Sequence, residues 1–261
     1  MKFPSTYDAD RIFLRNLTAR DIAEPLPSFD HNTSAEQALA ALVETRRAVA
    51  GVRRNGWVIG FILAKELGPG LCSDYTHPLE QAVVLADSTS LLEVIQAMNE
   101  TEWALVRLLG EVCGIVTRSD LQDPPVRMWL FGMITVIELR FQKMIEERFA
   151  SEEWVRYLSP ARQEKARAML EERQRRSQKS NLVDCLQFSD KAQIVARDET
   201  LRQQAGFVSR HRADETIKRL EKLRNNLAHS QSIVDTDWQV IIGIAEALQR
   251  LFDLGYFDSA R

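Results

Sequence analysis

The sequence changes its pattern at two adjacent prolines, Pro124 and Pro125. A proline moves the residue before it away from helical backbone angles, so one element ends just before this pair. Short β-rich runs alternate with amphipathic segments before the prolines, and apolar residues spaced by three and four dominate after them. The sequence therefore predicts an α+β chain of two domains, a mixed α/β domain over residues 1–125 and an all-helical domain over 126–261.

The first domain contains an internal repeat. Residues 32–39 align with 87–94 at an offset of 55, and residues 60–63 align with 114–117 at an offset of 54. A steady period of this length is typical of two copies of one small structural unit. Strands are predicted at 57–63 and 111–117, and helices at 34–45 and 89–98.

The second domain is predicted to consist of helices at 126–149, 160–178, 182–196, 213–229 and 237–252. The first of these carries a nearly heptad apolar stripe, which is typical of helices that pair. We expect this stripe to pack against a second copy of the chain; its members are Leu130, Ile134, Ile137, Phe141 and Met144.

Composition excludes several classes of protein. Residues 1–15 lack the apolar segment of a secretory signal, and the apolar stretch 128–137 is about half as long as a membrane span, so we expect a cytoplasmic chain with no membrane partner. The three cysteines form no CxxC pair and do not cluster with the four histidines, so no metal site is predicted. Residues 1–126 hold 11 Lys and Arg against 17 Asp and Glu, and the rest hold 23 against 20, which favours a nucleic-acid ligand on the second half.

The end of the second repeat, Thr117-Arg118-Ser119-Asp120, suggests a nucleotide site. Amides at a helix start and a threonine hydroxyl attract phosphate, and a carboxylate accepts both hydroxyls of a ribose. An adenine nucleotide supplies all of these groups. The same Thr-x-x-Asp spacing also forms a capping box that starts a helix without any ligand, and the four residues alone do not decide between the two interpretations.

The repeat resembles the tandem CBS-domain pair over about residues 16–125. The resemblance implies that two units pack face to face and that AMP, ADP or ATP binds between them as a regulatory ligand. It implies nucleotide contacts from Thr117, Arg118 and Asp120. The first copy has Leu63 and Glu66 at the matching positions, and because leucine cannot hold a phosphate, we expect one nucleotide site.

The segment Arg224-Asn225-Asn226-Leu227-Ala228-His229 lies at the end of a late helix. It resembles the Arg-Asn-x-x-x-His motif of the HEPN family, and the resemblance covers about residues 127–255. Active members of that family are metal-independent endoribonucleases that leave 2′,3′-cyclic phosphate and 5′-hydroxyl ends. The resemblance implies Arg224, Asn225 and His229 as catalytic residues and RNA as substrate. The alternative is that His229 only ends the helix and that Arg224 flanks its apolar stripe.

Residues five apart on a helix point about 140° away from each other, so one chain does not easily aim Arg224 and His229 at one phosphate. A homodimer, or a larger even-numbered oligomer, brings them together at a two-fold axis, as the resembled family does. The combined expectation is an endoribonuclease that adenine nucleotides regulate. The alternative is a non-catalytic nucleotide-sensing scaffold; nucleotidyl transfer is disfavoured because the acidic Gly-Ser motif for its metals is missing.

Overall fold

The computed structural model describes residues 17–229 and 231–253, which divide into two compact units. The mixed unit contains residues 17–127 together with 245–253, and the helical unit contains the other described residues, up to 244. The chain therefore combines α and β structure, as predicted. The prediction for residues 1–15 lies outside the described residues.

The strands of the mixed unit form two four-stranded sheets with the orders β2-β3-β4-β5 and β1-β8-β7-β6. Within the described residues, the strands are β1 (Glu24–Pro25), β2 (Ser28–Asp30), β3 (Val49–Arg54), β4 (Trp57–Leu63), β5 (His77–Pro78), β6 (Val84–Ala86), β7 (Trp103–Leu108) and β8 (Glu111–Thr117).

Two helices belong to the repeat of the mixed unit, α1 (Ala35–Glu44) and α2 (Leu91–Glu100). The described helices that follow are α3 (Pro124–Arg148), α4 (Pro160–Arg175), α5 (Phe188–Arg197), α6 (Glu199–Gln204), α7 (Arg210–Ala228) and α8 (Val234–Asp253). No helix in this part of the chain combines the length and the apolar character needed to cross a bilayer.

The two halves of the mixed unit have the same topology. In each, a short strand pairs in parallel with a longer one, which then forms an antiparallel hairpin with a bulge at the matching position. The hairpins turn at Asn55-Gly56 and Leu109-Gly110, all four residues having positive φ. Ser34 and Ser90 cap α1 and α2 and lie 56 positions apart, so the offset of 55 predicted for this part of the repeat is one residue too short.

The first sheet carries buried apolar side chains on both faces. On the first sheet, α1 packs through residues such as Ala38 and Leu42 against Val52 and Ile62. A second cluster joins the sheets to each other; it contains Leu26, Val49, Phe61, Leu105, Val112 and Ile115. In the first hairpin, strand residues alternate between these two clusters, which explains why both of its strands are rich in β-branched and other apolar residues.

The helical unit buries the apolar stripe predicted for α3. Leu130, Ile134, Phe141 and Met144 are all buried within the chain, and Ile137 is half-buried. The expectation that this stripe packs against a second copy is therefore wrong. Apolar side chains that α3 does expose are Met128, Phe131 and Leu139.

Buried ion pairs connect helices of this unit. Arg162 of α4 donates two hydrogen bonds of 2.7 Å to the Asp190 carboxylate of α5. The Lys191 ammonium lies 3.0 Å from Glu138 of α3. Because each buried charge has an opposite charge in contact, the helices are held in a defined register.

The sequence predicted the bounds of β4 and β8 correctly, and α1, α2 and α3 to within two residues. It missed β3 and β7, the hairpin partners of those strands. The predicted helix at 182–196 is two elements, a 3-10 helix at Leu182–Cys185 and α5, because Leu186 and Gln187 have extended backbone angles.

Candidate functional site

Thr117 and Asp120 form a capping box at the end of β8. The Asp120 Oδ2 atom accepts a hydrogen bond of 2.7 Å from the Thr117 amide and one of 3.0 Å from the Thr117 hydroxyl. These bonds start a 3-10 helix at Arg118–Gln122. The capping interpretation is therefore correct for the local structure. Because this helix has only five residues, its dipole contributes little to anion binding.

The second oxygen of Asp120 remains available to a ligand. The side chain is buried, and among the described residues no donor binds its Oδ1 atom. Burial raises the pKa of the Asp120 carboxyl; the two hydrogen bonds from Thr117 lower it, and the nearby charges of Glu24 and Asp123 raise it further. The carboxylate is thus held rigidly through one oxygen and can accept hydroxyl donors at the other.

Ser119 and Arg118 complete this turn in different ways. The Ser119 hydroxyl lies 2.7 Å from the Thr117 hydroxyl, so two neutral donors stand side by side. The Arg118 guanidinium donates to the Met98 carbonyl oxygen at 2.9 Å and to that of Asn99 at 3.5 Å, at the end of α2. These contacts tie the turn to α2, and a nucleotide contact from Arg118 stays a prediction.

Glu24 and Arg47 also belong to this region, and no sequence pattern pointed to either. Strand β1 pairs with β8 and places Glu24 opposite Ile115, two residues before Thr117. The Glu24 carboxylate is ion-paired with the Arg47 guanidinium. Because Glu24 and Arg47 are far from Asp120 in the chain, only the tertiary pairing of β1 with β8 reveals their proximity.

The first repeat differs at the equivalent position. Leu63 ends β4, and Glu66 lies in the following 3-10 helix. The Glu66 carboxylate contacts the imidazole Nε2 of His77 at 2.6 Å, and the His77 ring stacks on Phe61 with a centroid distance of 5.2 Å. The hydroxyl that anchors Asp120 in the second repeat is missing here, and Glu66 is turned toward β5.

The three predicted catalytic residues lie at the end of α7. Arg224, Asn225 and His229 are all exposed, and His229 is the residue that caps the helix. In the described part of the chain, none of the three side chains forms a hydrogen bond or ion pair, so Asn225 does not orient the His229 imidazole. The predicted apolar stripe of this helix is confirmed, since Ile217, Leu220, Leu223 and Leu227 are buried.

A residue to which the sequence analysis assigned no role lies within this motif. Asn226 is buried and donates a hydrogen bond of 2.5 Å to the carboxylate of Asp237, which is 1% exposed. The Lys222 ammonium lies 3.7 Å from the other oxygen of Asp237. Spacing alone does not reveal this bond, because Asp237 belongs to the next helix.

Metal-ligating and nucleophilic side chains are also present elsewhere in the described residues. Within the described residues, no three His, Cys, Asp or Glu side chains come together as metal ligands. Burial raises the pKa of the Cys72 and Cys185 thiols. A raised pKa lowers the fraction of nucleophilic thiolate, so neither cysteine has the environment of a catalytic nucleophile.

Comparison with known proteins identifies one domain. Residues 72–123, which include Thr117 and Asp120, match the family model of the CBS domain. No curated protein matches the chain.

Several solved structures resemble part of the chain. The CBS domain of a bacterial CNNM/CorC family Mg²⁺ transporter in complex with ATP is 18% identical, with a TM-score of 0.36, over 46% of this chain and 94% of that one. CBSX2 from Arabidopsis thaliana is 22% identical, with a TM-score of 0.35, over 40% and 91%. The structure of CBSX2 in complex with AMP is 23% identical, with the same TM-score, over 40% and 93%.

Proposed function

We propose that the mixed unit binds an adenine nucleotide at the end of β8 and that this binding regulates the helical unit. The observation that carries the proposal is the Asp120 carboxylate, which is buried, anchored through Oδ2 by Thr117, and bound at Oδ1 by no donor of the described residues. A fixed carboxylate oxygen suits the two adjacent hydroxyls of a ribose. The match of residues 72–123 to the CBS domain supports the same assignment.

Each residue of the turn has a role in this proposal. Asp120 accepts the ribose hydroxyls and stays anchored by the Thr117 amide. The Ser119 hydroxyl donates to the phosphate by turning away from Thr117, and the Thr117 hydroxyl does so by turning its one proton from Asp120 Oδ2 to the phosphate. Arg118 positions the turn through its bonds to the end of α2. The first repeat is a second CBS domain of the same topology, and it holds no phosphate because leucine replaces the threonine at position 63.

Thermal unfolding of the full chain with AMP, ADP or ATP tests this assignment. A ligand that binds only the folded state raises the melting temperature, and we expect at least one nucleotide to do so. Asp120→Ala should abolish this shift. Asp21→Ala is the matched control, because Asp21 makes the same capping bonds to Thr18, at 2.7 and 3.1 Å. Equal shifts in wild type and Asp120→Ala would contradict the proposal.

A second function, in the helical unit, is metal-independent cleavage of RNA. The observation that favours it is the exposure of Arg224, Asn225 and His229 at the end of α7, with no protein group bound to their side chains among the described residues. Basic side chains near a helix C-terminus can bind its last carbonyls, and within the described residues those of Arg224 and His229 do not. Their availability suits a substrate.

The chemistry is an internal transfer at phosphorus. The 2′-oxygen loses its proton to a base and bonds to the adjacent phosphorus, and the bond from phosphorus to the 5′-oxygen breaks as that oxygen takes a proton. His229 moves protons, and Arg224 neutralises the charge that gathers on the phosphate oxygens. In a homodimer, Arg224 of one protomer and His229 of its partner meet at one phosphate.

RNA cleavage in EDTA tests this function. His229→Ala should lower the rate by about 10²- to 10⁴-fold, the usual contribution of one acid or base. His211→Ala is the matched control, since His211 is an exposed histidine of the same helix. Mixing Arg224→Ala with His229→Ala protein should restore part of the activity, because a mixed dimer contains one intact Arg and His pair. A wild-type rate equal to that of His229→Ala would refute the nuclease.

The regulatory link requires that nucleotide binding change the cleavage rate or the assembly state. If AMP, ADP and ATP change neither, the proposed regulation is wrong even where nucleotide binding and RNA cleavage both exist.

The alternative function is a nucleotide-sensing scaffold without catalysis. A scaffold would tolerate Arg224→Ala with His229→Ala in growing cells, whereas a toxic nuclease would lose its toxicity.

A further inference from the structure

Three carboxylates lie near the end of β8. Asp120 is buried there, Asp123 follows within the same turn, and β1 brings Glu24 to the neighbouring strand. Burial is the main cause of the raised pKa of Asp120, and the charges of Glu24 and Asp123 add to it. A ligand that binds Asp120 therefore lies near two further carboxylates, of which that of Glu24 is ion-paired with Arg47.

Two guanidinium groups lie near this turn, and both bind protein groups. Arg47 is ion-paired with Glu24, so Glu24 holds the charge of Arg47 away from a ligand. Arg118 keeps its charge but is directed to carbonyl oxygens at the end of α2. The groups placed to meet a phosphate are the hydroxyls of Thr117 and Ser119, which are neutral. Neutral donors bind a phosphate oxygen, but they do not cancel the repulsion between the phosphates and the carboxylates.

We infer that this site selects nucleotides of low charge, so that AMP binds more tightly than ATP, and that Glu24 is a residue that sets this preference. The inference rests on the proposed nucleotide site at Asp120. The two additional phosphates of ATP add negative charge close to Glu24 and Asp123. Like charges brought together at a partly buried site lower affinity and give specificity by repulsion.

Titration calorimetry of the full chain with AMP and with ATP, in EDTA so that no divalent cation screens the phosphates, measures this preference. We expect AMP to bind roughly tenfold or more tightly than ATP. Glu24→Gln, which keeps the size of the side chain and a hydrogen-bond acceptor for Arg47, should tighten ATP binding more than AMP binding and shrink the ratio by about threefold or more. High salt should shrink it as well.

Glu36→Gln is the matched control, because Glu36 is exposed on α1 and the variant removes the same charge from the chain. The ratio of AMP affinity to ATP affinity in Glu36→Gln should equal that of the wild type. If Glu24→Gln unfolds, Asp123→Asn provides a second test, and it should change the ratio in the same direction.

The outcomes separate the two proposals. If neither nucleotide binds, the proposed function fails and the preference fails with it. If both bind and ATP is equal or tighter, the nucleotide site stands and the inference is overturned. If AMP is preferred but neither Glu24→Gln nor Asp123→Asn changes the ratio, the assignment of the preference to these carboxylates is overturned.

Discussion

The Asn226 amide of α7 donates a hydrogen bond of 2.5 Å to the Asp237 carboxylate of α8. The main-chain oxygen of Asn226 also accepts a bond of 3.0 Å from the Gln231 amide. Asn226 of α7 thus contacts both α8 and the main chain at Gln231. The buried bond between Asn226 and Asp237 therefore fixes the end of α7, where Arg224 and His229 are exposed.

Asn226→Ala should lower the free energy of unfolding by about 2–4 kcal/mol, because it leaves the buried Asp237 carboxylate without its amide donor. Asn225→Ala is the control, since its side chain is exposed, and we expect a change within about 0.5 kcal/mol. Urea unfolding of the full chain, followed by circular dichroism, measures both. Equal midpoints for the two variants would show that the buried bond contributes little.

Gly60→Ala should destabilise the chain more than Gly114→Ala, although the two glycines occupy equivalent positions in β4 and β8. A Cβ at Gly60 would overlap the main-chain oxygen of His77, whereas at Gly114 the nearest atom is the Val106 Cβ, at 3.1 Å. Since a main-chain atom of a paired strand cannot easily move, we expect a loss of about 1–3 kcal/mol for Gly60→Ala and less for Gly114→Ala. Thermal melting of the two variants decides the order.

The two hairpin turns predict a stabilising substitution. Leu109 has a φ of 52° and is 95% exposed, whereas the equivalent residue of the first repeat is Asn55, with a φ of 53°. Asparagine tolerates this left-handed conformation better than leucine does. Leu109→Asn should therefore raise the stability by about 1 kcal/mol, and Asn55→Leu should lower it by a similar amount. An unchanged melting temperature in both would contradict the turn assignment.

Nucleotide affinity should fall as the pH falls. Ribose hydroxyls donate to the ionised carboxylate of Asp120, and burial raises its pKa, so protonation removes the acceptor at a higher pH than for an ordinary aspartate. The free energy of unfolding should change with pH in the opposite direction. Because the pKa of Asp120 is higher in the folded state, its protonation favours folding below the ordinary pKa of an aspartate. This contribution is lost as the pH rises through the folded-state pKa.

AMP titrations from about pH 7 to about pH 4, spanning the usual range of carboxyl pKa values, check this dependence. Asp120→Asn supplies the reference, with weak binding that changes little over the same range. An affinity for the wild type that stays constant across the range would exclude Asp120 as the acceptor.

The sequence predicted those elements whose pattern is local. The segments Trp57–Leu63 and Glu111–Thr117 are short β-rich runs, and both strands have the predicted bounds. Thr117 and Asp120 were found because they lie three residues apart within a repeat. The α3 stripe was assigned to the wrong partner, since an apolar period shows that a face is buried but not whether the same chain covers it.

The remaining features depend on tertiary pairing. Glu24 reaches the region of Asp120 only through the pairing of β1 with β8, and Asp237 reaches Asn226 only because α8 folds back beside α7. Neither pair has a spacing that distinguishes it from chance. The sequence pattern therefore could not predict the charged groups around the candidate nucleotide site or the buried Asn226–Asp237 bond near His229.

A crystal structure of the full chain grown with AMP is the decisive test of the nucleotide site, because it locates the nucleotide atom by atom. We expect ribose hydroxyls within hydrogen-bond distance of Asp120 Oδ1 and the phosphate at the hydroxyls of Thr117 and Ser119. AMP bound elsewhere with Asp120 Oδ1 still open to solvent, or no AMP bound at all, would contradict it.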